Sequence, residues 1–146
     1  MDGTRNALAT HGDGQVLTEE TLALENACYR GTAGVSDGNR GLGMRPAFFD
    51  HASGTTHLSR FADGCVAPVH LLDGLPADLV LTRDECGRAR SARATVEAGF
   101  ERGGRFYSRA EAAAFAERLE HELQLAEHDF AGIERARVRI GALDLA

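Results

Sequence analysis

Residues 45–59 read RPAFFDHASGTTHLS, two short runs of strand-forming residues on either side of Ser53-Gly54. A two-residue turn at that dipeptide pairs Ala52 with Thr55, Asp50 with His57, Phe49 with Leu58 and Phe48 with Ser59. Successive strand residues point to opposite faces, so this register puts Phe49 and Leu58 on a core face and Asp50 with His57 on a wet one. The hairpin is expected to open a small antiparallel sheet buried on one side.

Further along, Gly103-Gly104 closes a second hairpin that sets Phe100 opposite Tyr107. Before it, Ala92, Ala94, Val96 and Ala98 alternate with Arg93, Thr95 and Glu97, the pattern of one half-buried strand. Leu79-Val80-Leu81 begins another strand, which turns at Glu85-Cys86-Gly87. The stretch from Ala62 to Asp78 holds Asp63-Gly64, Pro68, Asp73-Gly74 and Pro76, too many turn formers for a regular element. Val69, Leu71, Leu72 and Leu75 are expected to pin it to the core.

Helices flank this sheet. Thr18 is placed to cap a short helix running to Cys28, with Glu19 and Glu20 beside the positive end of its dipole. In that helix Leu22 and Leu24 cannot both face inward. Ser108 with Glu111 forms a capping box, and Phe115, Leu119, Leu123, Ala126 and Phe130 follow at three- and four-residue spacing, which predicts a long helix that Gly132 stops. Val138 and Ile140 then alternate with Arg135, Arg137 and Arg139 as a possible last strand. The fold class that follows is α+β: a curved antiparallel sheet of about four to five strands, packed against one long C-terminal helix, with a short N-terminal helix. Residues 1–17, rich in glycine and small polar residues, are expected to form a mobile arm, and 18–146 one domain.

The chain has 146 residues, 43% of them hydrophobic, enough for a single core. Its net charge of −6 argues against driven binding to nucleic acid or to an anionic membrane. The acids are concentrated at the flanks. Residues 1–27 carry five acids against Arg5, residues 108–131 six against Arg109 and Arg118, and the stretch between is close to neutral. The three cysteines are far apart, odd in number and follow no basic, apolar leader, so reduced thiols in a cytoplasmic protein are expected. No run reaches the roughly 18 apolar residues of a membrane span.

Little in the sequence points to chemistry. Between Arg30 and Gly43 five glycines form a loop, but no Lys followed by Ser or Thr comes after Gly43, as a Walker loop needs, and Gly34 stands where a cysteine phosphatase loop starting at Cys28 would need Arg. An ordered connection is the expected role. Asp50 and His57 are the best candidate for catalysis, because a cross-strand carboxylate can set the tautomer of an imidazole and raise its basicity. That reading makes the protein a small hydrolase or transferase; the alternative is an ordinary surface pair. For metal, His121 and His128 are seven residues apart on one helix, about 10.5 Å along its axis, and cannot share an ion. Cys65, His70 and His57 could meet only through loop geometry. Neither a metal nor an organic cofactor is expected. Arg83, Arg88, Arg90 and Arg93 cluster on one hairpin, where they could grip phosphates or pair with the acids of the long helix.

The run RPAFFDHASGTTHLSRFADGCVAPVHLLDGLPADLVLTRDECGR, followed by GFERGGRFYSRAEAA, resembles small uncharacterised proteobacterial proteins found in phage or integrative-element neighbourhoods. The similarity covers about residues 28–114 and rests on turns and core positions. It implies an accessory role on a mobile element, blocking of a host defence complex included, and it assigns no residue a function. The expected function is a non-enzymatic protein-interaction module. Its partner would be a host protein or protein–nucleic acid complex with a basic surface, and the contact would be made by Glu117, Glu120, Glu122 and Glu127 on the long helix.

Overall fold

A computed structural model of the chain describes residues 15–126. Thr18 caps α1 (Glu19–Cys28) as its sequence predicts, its hydroxyl accepting from the backbone of Thr21 while the Thr21 hydroxyl accepts from the backbone of Thr18. Leu22 is buried and Leu24 is 65% exposed, so one of the two leucines anchors this helix. Just before it, Leu17 and Thr18 form β1, with Leu17 buried and paired to Ala92. Leu17 therefore belongs to the folded body, not to the arm in which its sequence context placed it.

The fold is mixed α+β with two antiparallel sheets. After a four-residue helix, α2 (Ser36–Asn39), come β2 (Arg45–Asp50), β3 (Thr55–Leu58), β4 (Val80–Arg83), β5 (Ala89–Ala92), β6 (Val96–Arg102) and β7 (Arg105–Ser108). The larger sheet has the order β3-β2-β6-β7 and the smaller β1-β5-β4. The alternation read as a single strand from Ala92 to Ala98 is in fact two strands, β5 and β6, one in each sheet. The break has identifiable locks: the Arg93 amide bonds to the Leu79 carbonyl, the Val96 amide turns back to the Arg93 carbonyl, and the His51 amide takes the Thr95 carbonyl.

Gly103-Gly104 behaves as read. Both glycines adopt positive φ and Phe100 pairs with Tyr107. The first hairpin does not: Asp50 pairs with Thr55, Phe49 with Thr56, Phe48 with His57 and Ala47 with Leu58. The expected register is off by two residues, because residues 51–54 make a four-residue connection closed by the Gly54 amide on the Asp50 carbonyl. A shift of two leaves the same side chains sharing a face. The core face, however, is that of Phe48 and not of Phe49: Phe48 is fully buried, whereas half-buried Phe49 stacks on Phe106 on the other side.

Two apolar clusters result. One lies between the sheets and contains Leu17, Leu22, Phe48, Leu72, Leu75, Leu79, Ala92 and Val96. The other joins Met44, Phe100, Tyr107 and Ala112 beneath the long helix α3 (Arg109–Ala126), with Phe115 packed against it. The α3 cap is the one its sequence predicts, the Ser108 amide donating to Glu111 and the Glu111 amide to the Ser108 hydroxyl. The irregular stretch 62–78 is pinned by Leu72 and Leu75, while Val69 stays exposed. Among the described residues no helix is long and apolar enough to cross a membrane. Phe130, Gly132 and the possible strand through Arg135, Arg137 and Arg139 lie outside the described residues.

Candidate functional site

Asp50 and His57 do not form a pair. Asp50 faces Thr55 across the strands, and its buried carboxylate is taken up by three local donors: the Thr95 hydroxyl at 2.8 Å, the Ser53 hydroxyl at 2.8 Å and the Ala52 amide at 3.2 Å. The bond from Thr95, more than those from Ser53 and Ala52, holds this carboxyl below the ordinary carboxylate range against the opposing effect of burial. Its geometry is that of a turn lock, and a general base needs a lone pair that is not already spoken for.

Cys28, Cys65 and Cys86 are all free and exposed, and among the described residues no group of three or more His, Cys, Asp or Glu is placed to hold a metal. His70 is engaged by the Gly99 carbonyl and by Arg109. The arginines of the β4–β5 hairpin are largely occupied. Arg90 pairs with Glu19 at 3.1 Å, Arg88 lies 3.5 Å from Asp73 and 3.9 Å from Glu19, Arg93 donates to the Asp78 carbonyl and Arg83 to the Gly87 carbonyl. Their acidic partners come from α1 and the irregular stretch, not from α3. This ties α1 to the smaller sheet.

Of the four acids expected to form one surface, the three that lie among the described residues separate. Glu117 and Glu120 are exposed and about 60° apart around α3, while half-buried Glu122 lies about 140° from Glu117, toward the packed side. Glu127 lies outside the described residues. The apolar stripe also changes along the helix: Ala112 is fully buried and Phe115 and Leu119 half-buried, but Leu123 is 41% and Leu125 60% exposed. The second half of α3 therefore presents carboxylates and leucines together, with Ala126 buried in its last turn.

The most developed polar arrangement was not evident in the sequence. Arg109, only 4% exposed, donates from Nε to Glu25 at 2.9 Å, from Nη1 to the Gly34 carbonyl at 2.8 Å and from Nη2 to His70 Nδ1 at 3.4 Å, with its guanidinium 5.9 Å from the Phe100 ring centre. The His70 ring sits edge-on to Phe48 and to Phe100, one from each apolar cluster, at 5.3 and 5.2 Å. Its Nε2 meets the Gly99 carbonyl at 2.7 Å. A carbonyl only accepts and a guanidinium only donates, so the ring is neutral with its proton on Nε2. Burial, and secondly the Arg109 charge, push this imidazole down to about 3. Burial likewise raises the nearby Tyr29 phenol. One signal for this hub was present: an arginine in the first turn of a helix is disfavoured by the dipole, so Arg109 called for a compensating acid elsewhere in the chain.

Two clefts lie near the hub. One of ≈ 230 Å³ is bordered by Asn26, Arg30, Ser36, Val69 and His70; another of ≈ 240 Å³ is bordered by Ser36, Arg40, Met44, Pro46, Val66 and Pro68. Both fall below the roughly 300–1,000 Å³ typical of sites for drug-sized ligands. Compared with protein-family models, with curated proteins and with solved structures, the chain finds no match.

Proposed function

We propose that the chain is a non-enzymatic protein-interaction module that works through the exposed second half of α3. The observation that carries this reading is the change of exposure along one helix. Arg109 and Ala112 are sealed into the body, while Glu117, Glu120, Leu123 and Leu125 are exposed. Carboxylates interleaved with leucines suit a partner with a basic, partly apolar groove, since the charges speed the encounter and the leucines supply the buried area. The resemblance of residues 28–114 to proteins of mobile elements points to a host partner, and inhibition of a nucleic-acid-processing or defence complex is the specific form we favour. The hydrolase reading gains no geometric support, because Asp50 and His57 are not opposed and the Asp50 carboxylate is engaged.

Capture from host extract, run side by side with the wild type and a Glu117→Arg/Glu120→Arg variant, tests the reading. A specific partner should bind the wild type in a salt-dependent way and lose at least about tenfold in affinity to the variant, with a flatter salt dependence. A partner held equally well by both proteins, at low and high salt alike, would rule the α3 surface out.

A further inference from the structure

The glycine-rich connection between α1 and β2 is more rigidly built than a linker needs to be. Arg109 holds the Gly34 carbonyl from below, Asn39 donates to the Ala33 carbonyl at 2.7 Å, and the Thr32 hydroxyl accepts from the Gly34 amide at 2.9 Å. At two of its glycines the packing tolerates no extra atoms: a Cβ on Gly38 would run into the Thr32 carbonyl, and one on Gly34 would lie 2.5 Å from the Tyr29 ring. This fixed loop forms one wall of the ≈ 230 Å³ cleft, and the last turn of α1 with Arg30 forms the other. It is bordered by Asn26, Arg30 and Ser36, whose side chains all carry hydrogen-bond donors, beside the apolar Val35 and Val69. Among the described residues Arg30 makes no ion pair. The one carboxylate on the rim, Asp37, is 3.6 Å from Arg40.

We propose that this cleft is a binding subsite for a compact oxyanion of the phosphate class, gripped by Arg30 and oriented by Asn26 and Ser36. A guanidinium presents parallel N–H groups that match two phosphate oxygens, and a hydroxyl and an amide at its side complete a donor set around a tetrahedral anion. The volume admits a phosphate or a small phosphate monoester. The site is separate from the α3 surface, so it stands or falls independently of the interaction role.

The competing role for Arg30 is purely structural, a cation just past the C-terminal end of α1, where the dipole favours it. Titration of the full chain with inorganic phosphate, glycerol phosphate and acetate at matched ionic strength, followed by amide chemical shifts, separates the two. Saturable shifts confined to residues 26–38 and 69–70 are expected with phosphate, with acetate at least about tenfold weaker because it offers fewer oxygens. Arg30→Gln should abolish the response and Ser36→Ala weaken it, while Arg83→Gln leaves it unchanged. Saturation by glycerol phosphate at lower concentration than inorganic phosphate would identify a monoester as the natural occupant; the reverse order would identify the free ion. An equal response to acetate, an unchanged response in Arg30→Gln, or no saturable shift at all would overturn the proposal. A lower thermal midpoint for Arg30→Gln that is the same with and without phosphate, beside a wild type that phosphate does not stabilise, would assign Arg30 to the structural role alone.

Discussion

The two halves of α3 share one amphipathic sequence pattern and have opposite fates. In the first half Arg109 and Ala112 are sealed against β6, β7 and the Gly34 loop; in the second, Leu123 and Leu125 stand in solvent. Packing does not simply run out along the axis, since Glu122 is half-buried and Ala126 is buried again in the last turn. Leu123 and Leu125 lie about 160° apart around the helix, so the packed face cannot cover both. Helical periodicity records which side chains share a face, but not how much of that face the rest of the fold covers. For this protein that difference divides α3 into an anchoring half and a displayed half.

The comparison can be broken most severely at Arg109. Arg109→Ala removes the ion pair to Glu25 and the donor to Gly34, and should cost about 3–5 kcal/mol in urea unfolding, as for other buried ion pairs that lose one partner. A loss under about 1 kcal/mol would mean that the first half is no anchor. Next comes the turn lock in the larger sheet: Asp50→Asn weakens three hydrogen bonds to a charged acceptor and should cost about 1.5–3 kcal/mol, with the pairing of Asp50 to Thr55 beside the turn the first to lose amide protection. Leu119 marks the transition between the halves. Leu119→Ala should cost about 1–2 kcal/mol, less than the 2–5 of a fully buried leucine, and Leu123→Ala no more than about 0.5. Equal losses at Leu119 and Leu123 would erase the division.

Acid should act on the anchored half through His70. Its folded pKa of about 3 lies below the ordinary 6.5, so the unfolded chain binds the extra proton between those values. The stability contributed by neutral His70 is thus complete above pH 6.5 and is lost as pH falls toward 3. Unfolding free energies measured across that interval should drop for the wild type and flatten for His70→Gln. Parallel curves for the two proteins would remove His70 from the hub.

The two hairpins of the larger sheet show what kind of information was legible. Gly103-Gly104 forced its turn because two consecutive glycines supply the positive φ that a tight hairpin requires, and Phe100 met Tyr107 as read. Ser53-Gly54 carries a similar local signal but yields to Asp50, whose carboxylate reaches Ala52 and Ser53 and is fixed in turn by Thr95, 45 residues away. The apparent strand from Ala92 to Ala98 failed for the same reason: its alternation was real on both sides, but the bonds from Arg93 to Leu79 and from His51 to Thr95 broke it across two sheets.

By itself the sequence determined the mixed α+β class, the caps of α1 and α3, the glycine turn at 103–104 and the residues able to be apolar on each element. Those features depend on interactions within a few residues, through backbone φ, capping hydrogen bonds and side-chain period. Tertiary structure alone decided that there are two sheets, that Phe48 and not Phe49 is sealed inside, that Asp50 is a lock without a histidine partner, and that Arg109, Glu25 and His70 converge between two apolar clusters. Each of these depends on groups distant in the chain, whose pairing is set by the desolvation of a buried charge or ring, and that penalty exists only once the whole core has closed around it.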